Sequence, residues 1–212
     1  YLRTTNPDID LSLHTNGSAR TDAWWKKLAE LNVTVTFALD GLEDTNHLYR
    51  VGTDFNKIIH NAKTFISAGG KARWHMLVFE HNEHQVEQAR QMSIELGFAE
   101  FTQKNSSRFN GPFTQVLTRE GKTSHKIYPT NRSLEISQKV IEQKVRLMLN
   151  PKEEELASEI HCKSLQGRSL YVGANGSVTP CCWLEFTGYE PFNKTLVDYK
   201  DKGFETPNLH NN

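Results

Sequence analysis

The sequence predicts an α/β fold with parallel strands, on three observations. Strand-patterned and helix-patterned segments alternate from Ile9 to Phe101, and that alternation implies parallel pairing through right-handed crossovers. The stretch Val33 to Gly41 reads as a buried strand, with Val33, Val35 and Phe37 on one side and β-branched Thr34 and Thr36 between them. That strand stops at Asp40-Gly41, and ligands sit at the carboxyl ends of strands in such proteins. Asp40 is therefore a candidate site residue; the simpler reading is a turn cap. A barrel-like and an open sheet fit the periodicity equally.

The elements follow in order. Ile9 to Leu13 alternates as a short strand and runs into the turn signal His14-Thr15-Asn16-Gly17. Thr21 or Asp22 caps a helix from Asp22 to Leu31, with Trp24, Trp25, Leu28 and Leu31 as its apolar face. After Val33–Gly41 comes a polar loop from Leu42 to Gly52 that holds His47, Tyr49 and Arg50. Thr53 or Asp54 caps a second helix, whose Phe55, Ile58, Ile59, Ala62, Phe65 and Ile66 recur at helical spacing until Gly69-Gly70. Ala72 to Phe79 is a strand, Glu83 to Leu96 a helix and Phe98 to Phe101 a last short strand. From Asn105 to Thr130 the pattern is irregular or a loose hairpin; Ser133 to Leu149 is again helical, and Glu153 to Ile160 reads as a further short helix after Pro151. Leu170 to Val172 and Ser177 to Thr179 form a hairpin around Asn175-Gly176.

Formal net charge is zero and the pI is near 7.3. Bulk electrostatic binding to nucleic acid or to an anionic membrane is not expected. No apolar run is long enough to span a bilayer, and no signal peptide is visible. The chain begins at Tyr1 and reads as a fragment or processed product. Its cysteines are Cys162, Cys181 and Cys182, a poor disulfide framework. A reduced, cytoplasmic setting with metal or cluster ligation suits them better. A hairpin with thiolates at its base presents soft ligands to iron or zinc in a fixed geometry; the simpler reading is buried, inert cysteine.

The spacing Cys162-x13-Gly176-x4-Cys181, ending Val178-Thr179-Pro180-Cys181-Cys182, resembles the opening of the SPASM or twitch auxiliary-cluster domain. That domain follows the barrel of many radical S-adenosylmethionine enzymes. Thr15-Asn16-Gly17 resembles the third-strand end of that superfamily and Ala38-Leu39-Asp40-Gly41 its fourth. Tyr49-Arg50, then Gly52 and Phe55, match the helix that follows. The resemblance runs in order over nearly the whole chain.

It implies the C-terminal portion of a partial (β/α)6 barrel at residues 1–104, from about the third strand onward. A linker with helices at 105–160 and the start of a small, cysteine-bearing β-hairpin domain at 161–212 would follow. The family uses a [4Fe–4S] cluster and S-adenosylmethionine to form a 5′-deoxyadenosyl radical for hydrogen abstraction, with an external electron donor and often a peptide or protein substrate. By the resemblance, Asn16 and Asp40 line the methionine, ribose or substrate side. Arg50 pairs with the methionine carboxylate, a task that suits its bidentate geometry. Asp40 is alternatively a substrate-side acid or base. Cys162, Cys181 and Cys182 are expected auxiliary-cluster ligands, and Trp183 is placed to shield a cluster.

The sequence departs from the family in several places. The Cys-x3-Cys-x2-Cys loop, the glycine-rich second-strand end and the downstream auxiliary cysteines are absent. Ala38 stands where many relatives have serine. The expectation is a fragment cut at both ends, unable to hold the catalytic cluster, and poorly soluble because half a barrel leaves a sheet edge open. The rival reading is a non-catalytic module with structural Zn²⁺ on the three cysteines, with or without His161, whose α/β part binds a partner or nucleotide; a third is an ordinary α/β domain with free thiols. His75, His81 and His84 are read as surface or core histidines, and Trp24, Trp25 and Trp74 as packing.

Overall fold

A computed structural model describes residues 2–106, 109, 111–118, 120–149, 166–172 and 178–179. The elements are α1 (Leu2–Thr5), β1 (Ser12–Thr15), α2 (Asp22–Glu30), β2 (Thr34–Ala38), α3 (Asn46–Tyr49), α4 (Phe55–Ser67) and β3 (Ala72–Val78). A 3-10 turn (Glu83–Gln85), α5 (Val86–Glu95), β4 (Glu100–Asn105), β5 (Thr114–Leu117), β6 (Thr123–Ile127) and α6 (Asn131–Leu149) follow. Two short strands, β7 (Tyr171–Val172) and β8 (Val178–Thr179), pair antiparallel. The chain divides into two units, residues 1–149 and 150–212.

In the first unit β1 to β4 make one parallel sheet in the order β1-β2-β3-β4. Pleating sends alternate side chains to opposite faces. Val35, Phe37 and Leu39 go with Ala72, Trp74 and Met76 into the main core. Trp25 of α2 and Phe65 of α4 close over Phe37, with ring centroids 5.3 Å and 6.3 Å away. Phe98 meets Phe37 at 5.9 Å and Trp74 at 5.5 Å. Each such ring contributes about 1.5–3 kcal/mol by burial.

The other face is polar. It presents His14 and Thr36, then Arg73 and His75. Parallel sheets are ordinarily apolar on both faces, so this polarity marks a surface that is not a second core. His14 and His75 meet edge to face at 5.6 Å. Burial first, then Lys104, lowers the pKa of both. A smaller apolar cluster of Phe79, Phe109, Val116 and Ile127 joins the end of β3 to the β5–β6 hairpin.

Helix starts follow the caps. Thr21 accepts from Trp24 N at 3.4 Å and Asp54 from Lys57 N at 3.0 Å. Thr53 instead donates its hydroxyl to Arg50 O. Several sequence expectations need correction. The strand expected at Ile9 starts at Ser12, because Asn6 folds the preceding chain, accepting at its carbonyl from Ile9 N and at its side chain from Asp8 N. The last strand begins at Glu100 and runs on to Asn105, paired throughout with β3. The helix expected from Glu83 opens as a 3-10 turn. Trp24 is 36% exposed and Leu31 48%; Trp25 alone of the tryptophan pair carries the packing. The expected helix at Glu153–Ile160 lies outside the described residues.

Candidate ligand site at the end of strand β2

The chain leaves β2 through Leu39, Asp40 and Gly41. Leu39 N still donates to His75 O at 3.1 Å. The ladder then changes partners. Leu39 O accepts the indole N–H of Trp74 at 2.9 Å, and Leu77 N donates to Asp40 Oδ1 at 2.6 Å. A side-chain carboxylate thus serves β3 where a backbone carbonyl would otherwise serve it.

Asp40 is fully buried, and burial of a carboxylate is tolerated only where its groups are paired. All four of its polar groups are paired. Asp40 N donates to Asn46 Oδ1 at 2.8 Å, and Asp40 O accepts from Asn82 Nδ2 at 2.8 Å. Oδ1 takes Leu77 N, and Oδ2 takes Arg50 Nε at 2.6 Å. Burial pushes the carboxyl above its ordinary range, while Arg50 and the Leu77 N–H pull it back. Asn82 also donates to Leu77 O at 3.0 Å and accepts from Phe79 N at 2.8 Å. One fully buried amide therefore ties the ends of β2 and β3 together.

Arg50 is placed by the short helix α3. Its N–H donates to Asn46 O at 2.9 Å, and its carbonyl accepts from Thr53 Oγ1 at 2.7 Å. Its guanidinium carbon lies 5.3 Å from the centroid of the Tyr49 ring. The side chain is 28% exposed. Nε is committed to Asp40, whereas the two terminal amino groups make no hydrogen bond or ion pair with a described residue. An oriented guanidinium with its outer face open suits a carboxylate or phosphate.

The turn is fixed by Gly41 and Gln85. Gly41 has φ +129, and a Cβ there would collide with Thr45 Oγ1. Gln85 accepts from Leu42 N at 3.0 Å and from the Thr45 hydroxyl, and donates to the Asp44 carboxylate at 2.8 Å.

No family model matches the chain, and no curated protein matches it. Among solved structures it is similar to native anSMEcpe with bound AdoMet, at 19% identity and a TM-score of 0.48, over 84% of this chain and 52% of that one. It is also similar to Streptococcus suis SuiB bound to precursor peptide SuiA, at 18% identity and a TM-score of 0.49, over 90% of this chain and 47% of that one. The chain spans about half the length of the structures it matches.

Of the residues singled out in the sequence, Asp40 and Arg50 are brought into direct contact. Asn16 lies just beyond β1, at the same carboxyl edge of the sheet, and its side chain accepts from Ser18 N and Ser18 Oγ. Its loop is held from below by Asn61 of α4, which donates to Gly17 O at 2.7 Å and Ala19 O at 3.2 Å. A Cβ on Gly17 would press into Phe37 and Ile58. Cys162, Cys181 and Cys182, with His161 and Trp183, lie outside the described residues. Among the described residues no group of three or more His, Cys, Asp or Glu side chains could hold a metal ion, and no helix is long and apolar enough to cross a membrane. Sequence reasoning passed over Asn46, Asn61 and Gln85 as site-building residues. No spacing singles them out, because each acts across 6 to 44 positions of sequence.

Proposed function

We propose that this chain is part of a radical S-adenosylmethionine enzyme and that its carboxyl-edge site binds the methionine end of that cofactor. The observation that carries the reading is the Arg50–Asp40 pair. It sits in the segment Ala38-Leu39-Asp40-Gly41 to Tyr49-Arg50, whose residues carry the family resemblance. Arg50 receives the cofactor carboxylate on its terminal amino groups. Asp40 acts through Arg50: with both oxygens engaged, it is a positioning residue rather than an acid or base on substrate. Asn16 presents a polar side chain from the adjacent strand end.

The residues present do not fit the catalytic cluster. No cysteine precedes Cys162, so the cluster's thiolates come from outside this sequence. In an intact enzyme of this kind a catalytic cluster with an external electron donor would supply the reducing chemistry. In the same reading Cys162, Cys181 and Cys182 would hold an auxiliary iron–sulfur cluster, and the substrate would be a peptide or protein side chain.

The test is S-adenosylmethionine binding to the anaerobically purified chain by calorimetry. We expect binding that weakens roughly tenfold in Arg50→Lys, because an ammonium does not offer the fork of a guanidinium. Absence of binding, or equal affinity in the variant, overturns the assignment of Arg50. Metal analysis of the same sample separates the cluster from the zinc alternative. Brown protein with acid-labile sulfide supports the auxiliary cluster, and colourless protein with stoichiometric zinc removes it.

A further inference from the structure

Above the carboxyl end of β3 lies an open cavity of about 560 Å³. Leu48 of α3, the turn residues Glu80 and His81, and the end of β6 line it. A second cavity of about 300 Å³ adjoins it, with Glu80 and Tyr128 lining both and Glu83 on its own wall. Neither contains Asp40 or Arg50.

Three features of this groove converge. First, its wall is a strand edge. His125, Lys126, Ile127 and Tyr128 follow one another along it; the Tyr128 carbonyl is taken by Glu80 N at 3.1 Å, while β6 itself pairs only with β5 among the described residues. An antiparallel strand directs alternate N–H and C=O groups away from its partner, and such an edge accepts another extended chain. Second, its carboxylates outnumber its ammonium groups, with Glu80 and Glu83 against Lys126. Neither Glu80 nor Glu83 has a side-chain ion pair or hydrogen bond with a described residue, whereas the Lys126 ammonium is drawn over the Phe113 ring, 4.0 Å from its centroid. Burial keeps His81 neutral near pH 7 by lowering its pKa, and His125 Nε2 is engaged with Leu48 O at 2.7 Å. Third, Tyr128 stands 44% exposed between the two cavities, an aromatic face of the kind that receives a cation.

We propose that this groove docks an extended peptide segment, which adds as a strand to the edge of β6 at Thr123–Ile127, short of the Tyr128 carbonyl held by Glu80 N, and sets a lysine or arginine side chain against Glu80 and Glu83. The inference rests on the proposed peptide or protein substrate only for why a peptide reaches this chain. Its geometry is independent of Arg50.

The test uses the full chain and three fluorescein-labelled octapeptides of serine, threonine and valine. One carries a central lysine, one glutamate in its place, and one is the lysine peptide N-methylated at alternate backbone amides. Fluorescence anisotropy should show the lysine peptide binding roughly tenfold more tightly than the glutamate peptide, from two carboxylates attracting one and repelling the other. N-methylation should weaken binding by roughly tenfold or more, through lost edge hydrogen bonds. The double variant Glu80→Gln/Glu83→Gln should reduce the lysine preference to about threefold or less. Equal affinity for the lysine and glutamate peptides, or indifference to N-methylation, overturns the proposal. So does self-association in sedimentation that occupies the edge with a second copy. If the double variant fails to fold, amide shifts in the wild-type chain decide: movement at 123–128 supports the site, and movement elsewhere removes it. S-adenosylmethionine affinity on the same samples separates the two readings. Peptide selectivity without cofactor binding removes the Arg50 assignment and leaves the groove; cofactor binding without selectivity does the reverse.

Discussion

Replacing Arg50 by methionine leaves the Asp40 carboxylate buried without its counter-charge. Asp40 is fully buried and its Oδ2 lies 2.6 Å from Arg50 Nε. Removing one partner of a buried pair costs about 3–5 kcal/mol. At about 2–4 °C per kcal/mol for a unit of this size, Tm should fall by about 10 °C at pH 7. The pH dependence is diagnostic. Asp40 already titrates above its ordinary value of 3.8 in the folded chain. The folded state therefore holds that proton longer than the unfolded state does. Stability from this group falls as pH rises from 3.8 to the folded value and is level above it. Without Arg50 the folded value rises further, and each added unit costs about 1.4 kcal/mol. The gap between wild type and Arg50→Met should be small near pH 4 and widen toward pH 7. Urea unfolding followed by tryptophan fluorescence across that range measures it. A gap that does not change with pH, or no gap at pH 7, would refute the role given to this pair. Arg50→Lys keeps the charge and should recover part of the loss.

Three further outcomes follow from the same geometry. Asn82→Ala removes the donor to Asp40 O and Leu77 O and the acceptor of Phe79 N; it should cost about 3 kcal/mol in urea unfolding, since buried backbone groups lose their partners. Gly41→Ala forces a side chain onto a positive φ against Thr45 and should cost about 1–3 kcal/mol, read as a lowered Tm and a weaker cofactor isotherm. His14 and His75 are held below 6.5 in the folded chain, so the unfolded state takes up protons first as pH falls. Stability should drop below about pH 6.5, and His14→Gln/His75→Gln should flatten that slope; an unchanged slope removes the pair as its source.

Much of the scaffold was legible in the sequence because its signals are local. Asp54 capping α4, the alternation along β3 and the glycine stops need only neighbouring residues. Strand ends were less legible: β1 is displaced because Asn6 turns the chain before Ile9, and β4 is lengthened by its partner β3. Trp24 and Trp25 are indistinguishable by composition, and only packing against Phe37 and Phe65 selects Trp25. Asp40 and Arg50 were each visible as candidates, yet their contact across the α3 turn was not. Asn46 and Asn82 read as ordinary loop asparagines, although they satisfy the backbone of Asp40 from opposite sides. Hydrogen bonds that close a buried site join residues with no shared period, so periodicity does not announce them.

The central proposal is that this chain is part of an enzyme whose cluster loop lies outside the present sequence. Sequencing the reading frame upstream of Tyr1 in the source nucleic acid tests it most directly. The account predicts Cys-x3-Cys-x2-Cys in frame within roughly one hundred residues, the scale of the remaining barrel half. A start codon or unrelated sequence immediately before Tyr1 would contradict it.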